Sequence, residues 1–180
     1  MYEEKDIKKV NPSRGKCHDY LGMDIDYSKP GIFKVLMTKY IQSMIDKFPY
    51  PEELKTKSAK SPAAEHLFNI NPKGKPLDKA KKECFHTWVA KGLFLCKQSR
   101  PDIQPAIPFL CSRVNYPDED DWKKLLRVLA YLRDTKDIPL QLEGDIHMTH
   151  NKWYADASFA THPDLRSHTG GVMTMGKGGV

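Results

Sequence analysis

The residues from Trp153 to Gly171 combine a single carboxylate with the pattern of a β-hairpin. An apolar run leads into Asp156, small residues follow it, and a second apolar run at 172–175 comes after a polar turn that contains Pro163. This pattern predicts a hairpin with a non-standard loop and one acid in the middle of its first strand. Such an acid either supplies an oxygen ligand to a divalent cation or faces solvent, and the hairpin alone leaves both interpretations open.

Two other pairs of acids have spacings that suggest chemistry, and each has a structural explanation. Asp24 and Asp26 alternate with apolar residues along a predicted strand, one face of which holds Leu21, Met23, Ile25 and Tyr27. The alternation places both acids on the solvated face, so a structural role is favoured over a metal site. Asp120 and Asp121 open a helix within an acidic cluster, where the helix dipole favours anions, and we expect no catalysis from them.

Cysteine usage argues against a metal–thiolate site. No C-x-x-C pair occurs among the four cysteines, which are Cys17, Cys84, Cys96 and Cys111. The last three fall on apolar faces of predicted helices, as reduced core residues of an intracellular protein do. His18 and His86 lie near cysteines, but no second pair stands at zinc-site spacing.

The N-terminal residues are too charged for a signal peptide, and no apolar run approaches membrane-spanning length. We therefore expect no membrane partner and a cytoplasmic or nuclear location. Lys and Arg number 29 against 23 Asp and Glu, which gives a net charge of +6. This excess suits a nucleic-acid partner, although many solvated surfaces are equally basic. The densest basic cluster, which either tracks phosphates or is simply solvated, consists of Lys73, Lys75, Lys79, Lys81 and Lys82.

Residues 1–16 are predicted to form a basic arm, and residues 17–48 a hairpin followed by a helix. The hairpin has one strand over 20–27, a turn at Ser28–Gly31 and a returning strand over 32–36. The helix over 38–48 is expected to have Thr38 as its N-cap and to stop at Pro49. Residues 49–77 are proline-rich with little periodicity, which predicts a linker or a flexible surface excursion.

Residues 78–135 carry the helical pattern. Asp78 is expected to cap a helix that reaches residue 98, and Gly92 weakens its middle by about 1 kcal/mol relative to Ala. Pro101 ends this helix and Asp102 caps the next, in which Pro108 predicts a kink or a broken first turn. The clearest helix covers residues 119–135, with a buried stripe of Trp122, Leu125, Leu126, Leu129 and Leu132. Residues 136–150 read as a linker with short strands, and 151–180 as the hairpin described first.

The order of these motifs resembles copia-type retrotransposon polyproteins, in which a reverse transcriptase runs into ribonuclease H. In that family the second enzyme opens with Asp-Ala-Asp-Trp-Ala, then Arg-Lys-Ser-Thr-Ser-Gly-Tyr, and here these stretches stand as Asp156–Ala160 and Leu165–Gly171. The family's Arg-Pro-Asp-Ile, followed by Trp…Val-Leu-x-Tyr-Leu-x-x-Thr, matches Arg100–Ile103, Trp122, Val128-Leu129, Tyr131-Leu132 and Thr135. The resemblance covers roughly residues 18–176.

The resemblance implies roles for two sets of residues. Asp156 would be the first metal-binding carboxylate of the nuclease, and the complete parent enzyme would use Mg²⁺. Two-metal hydrolysis needs several carboxylates, but only Asp164, in the turn, follows Asp156, so we expect no tight metal binding by this chain alone. The second set resembles the primer grip of reverse transcriptases, which positions the end of the primer strand, and consists of Tyr20, Leu21, Gly22 and Met23.

The sequence therefore predicts an α+β fold with an N-terminal β-hairpin, a helical middle like a thumb and connection, and a C-terminal hairpin from an incomplete ribonuclease H-like domain. The expected function is that of a catalytically incomplete polyprotein fragment that holds a primer–template duplex, either an RNA–DNA hybrid or DNA. Its other partners would be the missing palm and the remaining ribonuclease H segments. Two alternatives stay open: an active polymerase and nuclease once those segments complete it, and an interaction module that binds no nucleic acid.

Overall fold

The computed structural model describes residues 16–144, 150–159, 167–174 and 176–179. Most of the predicted basic arm and the turn that contains Pro163 and Asp164 lie outside these residues. The described helices are α1 (Thr38–Asp46), α2 (Pro51–Lys55), α3 (Lys79–Gln98), a 3-10 helix (Pro101–Ile103), α4 (Ala106–Arg113) and α5 (Glu119–Asp134). The described strands are β1 (Cys17–Tyr20), β2 (Met23–Asp26), β3 (Ile32–Leu36), β4 (Leu140–Gly144), β5 (Lys152–Ser158), β6 (His168–Thr174) and β7 (Gly176–Lys177). The predicted α+β class is confirmed.

The N-terminal strands form a meander rather than the simple hairpin predicted from the sequence. The single strand expected over 20–27 is broken by a two-residue turn at Leu21 and Gly22, which have φ values of 52° and 77°. Two consecutive positive φ values are typical of tight hairpin turns, because their twist matches that of the flanking strands. Leu21 therefore lies in a turn, 70% exposed, and not on the inward face of a strand.

β4 follows the helices in the sequence and joins this meander. It pairs antiparallel with β3, so that Leu140 stands opposite Val35. The five-stranded sheet has the order β1-β2-β3-β4-β7, and β5 and β6 form a separate two-stranded sheet. The segment predicted as a linker with short strands over 136–150 thus supplies an interior strand of the larger sheet.

The core lies among the helices. α5 contacts α1, α2, α3 and α4, and its Leu125, Leu129 and Leu132 are fully buried. Phe48 packs against Trp88 and Trp122 at ring distances of 5.5 and 5.8 Å. Cys84 and Cys96 are buried in this core and Cys111 is half-buried, as predicted.

The proline-rich segment 49–77 is packed against the core, which corrects the expectation of a flexible excursion. It contains α2 and contributes four buried apolar side chains, Leu54, Ala59, Leu67 and Leu77. Polar side chains of α5 donate to its backbone: Arg133 to the carbonyls of Leu54 and Lys57, at 3.0 and 2.7 Å, and Lys124 to that of Asn69, at 2.6 Å. These contacts join residues far apart in the sequence, which is why local periodicity gave no sign of them.

One of the predicted helix caps is confirmed and two are wrong. Asp78 accepts from the Lys81 amide at the start of α3, and Asp118 and Asp121 form a capping box on α5. Thr38 does not cap α1, because its hydroxyl donates to the Lys136 carbonyl instead. Asp102 does not cap α4 either, because its carboxylate binds a buried guanidinium.

The prediction of a broken turn near Pro108 is confirmed. A 3-10 helix over Pro101–Ile103 precedes α4, and Pro108 lies in the first turn of α4, where its missing N–H leaves no intrahelical bond unmade. None of the helices in the described ranges combines the length and apolar composition that crossing a bilayer requires.

Candidate functional site

Asp156 lies in the middle of β5, as predicted, opposite Gly170 of β6. Because glycine carries no side chain, the cross-strand position brings no second ligand to the carboxylate. Almost every described side chain of β5 is exposed, Asp156 among them. The hairpin therefore presents this acid to the surface of the molecule.

An open groove of about 670 Å³ separates the hairpin from the start of α4. One wall carries Asp156 with the hydroxyl side chains Ser158 and Thr169, and the other carries Phe68, Gln104 and prolines. Nothing in the sequence near Phe68 and Gln104 predicts that they line this groove, because the hairpin lies far along the chain from both.

The described lining of this groove supplies one carboxylate. A two-metal site for phosphodiester hydrolysis needs several, so the residues present do not fit such a site by themselves. Across the described part of the chain, no three His, Cys, Asp or Glu side chains are grouped closely enough to hold a metal ion.

The primer-grip-like residues lie at the β1–β2 turn. Tyr20 and Leu21 are 59% and 70% exposed, whereas Met23 packs against the helical core. β1 is an edge strand, so the turn projects from one corner of the five-stranded sheet. Tyr20 and Leu21 are therefore the exposed members of this set, and Met23 anchors it to the core. Gly22, between them, adopts a positive φ that glycine tolerates without strain.

Lys81 differs from the other lysines of the basic cluster, because it is largely buried and has a carboxylate partner. Its ammonium lies 2.9 Å from Glu53 and 5.0 Å from the Trp122 ring centroid, and the side chain is only 20% exposed. The hydrogen bond with Glu53 raises the pKa of Lys81 above its ordinary value, although burial opposes the rise. Lys81 thus holds α2 against α3 and α5.

The remaining members of the cluster are exposed: Lys73, Lys75, Lys79 and Lys82. Their segment is fixed to the start of α5, because the Leu77 amide donates to Pro117 and the Glu119 amide donates to Lys75, at 3.1 and 3.0 Å. The Lys82 ammonium lies 5.6 Å from the centroid of the Tyr116 ring. These four lysines are called the lysine surface below.

The acid pairs Asp24/Asp26 and Asp120/Asp121 have structural partners. Asp24 accepts from Lys39 at 3.1 Å, and Asp26 accepts from the Ser28 amide at 2.7 Å in the β2–β3 turn. Lys124 lies 2.9 Å from Asp120, and Arg113 lies 2.9 Å from Asp121. The structural interpretation of both pairs agrees with these contacts.

Four residues quoted above for their resemblance to the retrotransposon motifs come together in one polar network. The buried Arg100 guanidinium donates twice to the Asp102 carboxylate, at 2.9 and 2.7 Å. It also donates to the carbonyl and hydroxyl oxygens of Thr135, at 2.9 and 2.8 Å, and the Tyr131 hydroxyl donates to Asp102 at 2.8 Å. This network joins the α3–α4 connection to the C-terminal end of α5.

No protein-family model matches the chain, and no solved structure matches it significantly. Among curated proteins, the chain is similar to a Saccharomyces cerevisiae protein called "Putative transposon Ty5-1 protein YCL074W", with 25% identity over 182 residues. The match covers 97% of this chain and 53% of the yeast protein, so the chain spans about half the length of this relative. The similarity supports a retrotransposon-derived origin for the chain.

Proposed function

We propose that the chain is part of a copia-type reverse transcriptase–ribonuclease H polyprotein, that it holds the primer–template duplex, and that it is catalytically incomplete by itself. The observation that carries this proposal is the similarity to a yeast transposon protein over 97% of the chain. The ordered motifs from Tyr20 to Asp156 support the assignment to the reverse transcriptase and ribonuclease H regions.

The lysine surface is the proposed contact with the duplex backbone. Lys73, Lys75 and Lys79 lie on a segment that backbone hydrogen bonds fix to α5, so their positive charges occupy defined places. Lysine contacts with phosphates give affinity without reading the base sequence, as a polymerase that copies any template requires. Lys81 is left out of the contact because Glu53 and Trp122 already hold it.

The acids at the start of α5 are held by local partners. Asp118 caps the helix and Asp121 completes the capping box, while Asp120 pairs with Lys124. Their charges are partly compensated by these partners and by the N-terminal end of the helix dipole. The lysine surface therefore lies beside three acids whose charges are partly compensated.

The two hairpins take secondary roles in the proposal. Tyr20 and Leu21 would lie against the primer strand, as the resemblance to a primer grip implies. Asp156 would supply one Mg²⁺ ligand in the parent enzyme, completed by carboxylates from other segments. The exposed apolar side chains of this C-terminal hairpin would pack against the remaining ribonuclease H segments, and they include Trp153, Tyr154 and Val172.

The experiment measures the affinity of the full chain for an RNA–DNA hybrid as a function of salt. We expect weak binding whose logarithm falls linearly with the logarithm of the salt concentration. Changing Lys73, Lys75 and Lys79 to Gln should reduce this salt slope by about 1 per lysine that contacts a phosphate.

A matched control removes the same charge elsewhere, at the exposed Lys29, Lys47 and Lys97. We expect the control to keep a steeper slope than the lysine-surface variant. Equal slopes for the two variants would remove the lysine surface from the contact, and no binding at low salt would favour an interaction module instead.

A further inference from the structure

A second cationic site lies between the proline-rich segment and α5, in a pocket of about 200 Å³. Its charged and titratable lining consists of Lys57, His66, Asp120, Lys123, Lys124 and Arg127. Four cationic side chains thus share this small space with one carboxylate. None of the four belongs to the lysine surface.

The buried part of this pocket is already compensated. Lys124 is 5% exposed, and its ammonium contacts Asp120 at 2.9 Å and the Asn69 carbonyl at 2.6 Å. This lysine and this acid neutralise each other. The positive charge left over comes from Lys57, Lys123 and Arg127.

These three cations are held together by the fold. The Arg127 guanidinium donates to the carbonyl and hydroxyl oxygens of Ser61, at 3.1 and 3.2 Å, which fixes its orientation. Lys57 and Lys123 are exposed, and no carboxylate in the described ranges lies within ion-pair distance of either. Three like charges around one cavity repel each other, and an anion bound between them would relieve that repulsion.

We propose that this pocket binds a phosphate group. A guanidinium of fixed orientation beside two flexible ammonium groups suits a tetrahedral oxyanion, because arginine offers paired donors and lysine offers point charges. The phosphate comes either from a nucleic-acid backbone or from a free phosphate compound. Binding of free phosphate would stand without duplex binding by the lysine surface, so the two proposals fail separately.

The test is a titration of the full chain with inorganic phosphate at constant ionic strength, with chloride as the replaced anion. Backbone amide signals and the Arg127 Nε–H signal are followed by nuclear magnetic resonance. We expect saturable shifts confined to the pocket. Changing Lys57 and Lys123 to Gln should weaken phosphate binding about tenfold or more, because each lost charged contact is worth that order.

Two comparisons make the outcome decisive. Lys57 and Lys123 are exposed, so the variant should keep the fold, which the unchanged signals of the helical core would verify. A control variant with Lys47 and Lys97 changed to Gln should bind phosphate as the parent does. Shifts that do not saturate, or equal weakening in pocket and control variants, would overturn the proposal.

A second arm identifies the source of the phosphate. If it is a nucleic-acid backbone, the pocket variant should also bind an RNA–DNA hybrid more weakly than the control, and inorganic phosphate should compete with the hybrid. If it is a free phosphate compound, hybrid binding should be the same in the pocket and control variants while phosphate binding is lost. Both results support the pocket and differ only in its natural ligand.

Discussion

Arg100 illustrates how a charged residue becomes a structural one. The side chain is 2% exposed, and the contacts described above with Asp102 and Thr135 satisfy its donors. Breaking such a buried pair by removing one partner leaves an uncompensated charge, which is strongly destabilising. These motif residues therefore contribute to the free energy of unfolding, and their presence does not require contact with a ligand.

The lowered pKa of Asp102 makes the stability of the fold depend on pH. Burial raises the pKa of the carboxyl, but hydrogen bonds from Arg100 and Tyr131 and the guanidinium charge outweigh burial and hold the pKa below its ordinary value. A carboxylate with a lowered folded-state pKa stabilises the protein above its unfolded pKa, and this stabilisation is lost as the pH falls through the folded value.

Asp102→Asn should therefore lower the free energy of unfolding at neutral pH and reduce its loss below about pH 4, where unfolded aspartates become protonated. The measurement is urea unfolding of the variant and the parent between pH 2 and pH 7. An exposed acid, changed in Asp46→Asn, serves as the control. Parallel pH profiles for the parent and Asp102→Asn would show that this carboxylate carries no linked stabilisation.

At the scale of elements, Gly92 marks the close approach of α3 to α4. In the sequence this glycine only weakens a helix, and alanine would raise helix propensity by about 1 kcal/mol. In the structure, a Cβ at this position would lie 2.5 Å from Ile107 Cδ1. Ile107 is 1% exposed, so it has little room to move. A methyl group at position 92 would therefore require the buried Ile107 side chain to move.

Gly92→Ala should thus destabilise the chain by about 1–3 kcal/mol, the usual range for overpacking, despite the gain in propensity. Ile107→Val removes the clashing Cδ1 atom and costs about 0.5–1.5 kcal/mol by itself. In the double variant the total loss should be smaller than the sum of the two single losses. Thermal unfolding of the four proteins measures this coupling, and a stabilised Gly92→Ala protein would contradict the packing argument.

The proline-rich segment is held in place by contacts that its own sequence does not encode. Its prolines and its lack of periodicity correctly indicate few regular helices, since α2 is only five residues long. Its position depends on donors from α5, which reach it across more than 50 residues of sequence. Local sequence signals describe the conformation of such a segment but not the surface against which it packs.

At the scale of the whole molecule, burial is concentrated in the helices. The core cluster draws mainly on α1, α3, α4 and α5. Val35 is the buried apolar side chain among the described strand residues, and most described positions of β5 and β6 are exposed. A two-stranded hairpin with little burial is marginally stable in water.

Amide hydrogen exchange should follow this distribution. We expect the strongest protection in α3 and α5, intermediate protection in β2 and β3, and the weakest in β5 and β6, because local opening is easiest where little apolar surface is buried. Exchange of the parent at neutral pH, followed by mass spectrometry, provides the test. Protection of β1–β3 equal to that of α3 would contradict it.

Some features of the candidate site were predicted from the sequence and others were not. The hairpin position of Asp156 follows from two apolar runs and the turn residues between them, which are local signals. The burial of Lys81 does not, because Glu53 and Trp122 lie 28 and 41 positions away in the sequence. The same holds for the phosphate pocket: Lys123 and Arg127 share a helix face at i,i+4 spacing, but Lys57 joins them only through the fold.

The sequence by itself determined the α+β class, the extents of α3 and α5 to within a residue, and the cap at Asp78, because periodicity and capping act within a few residues. Tertiary structure decided that β4 pairs with β3, that Arg100 meets Thr135, and that the proline-rich segment packs on α5. These contacts join distant parts of the chain, and they form only when burial of the shared helical core brings those parts together.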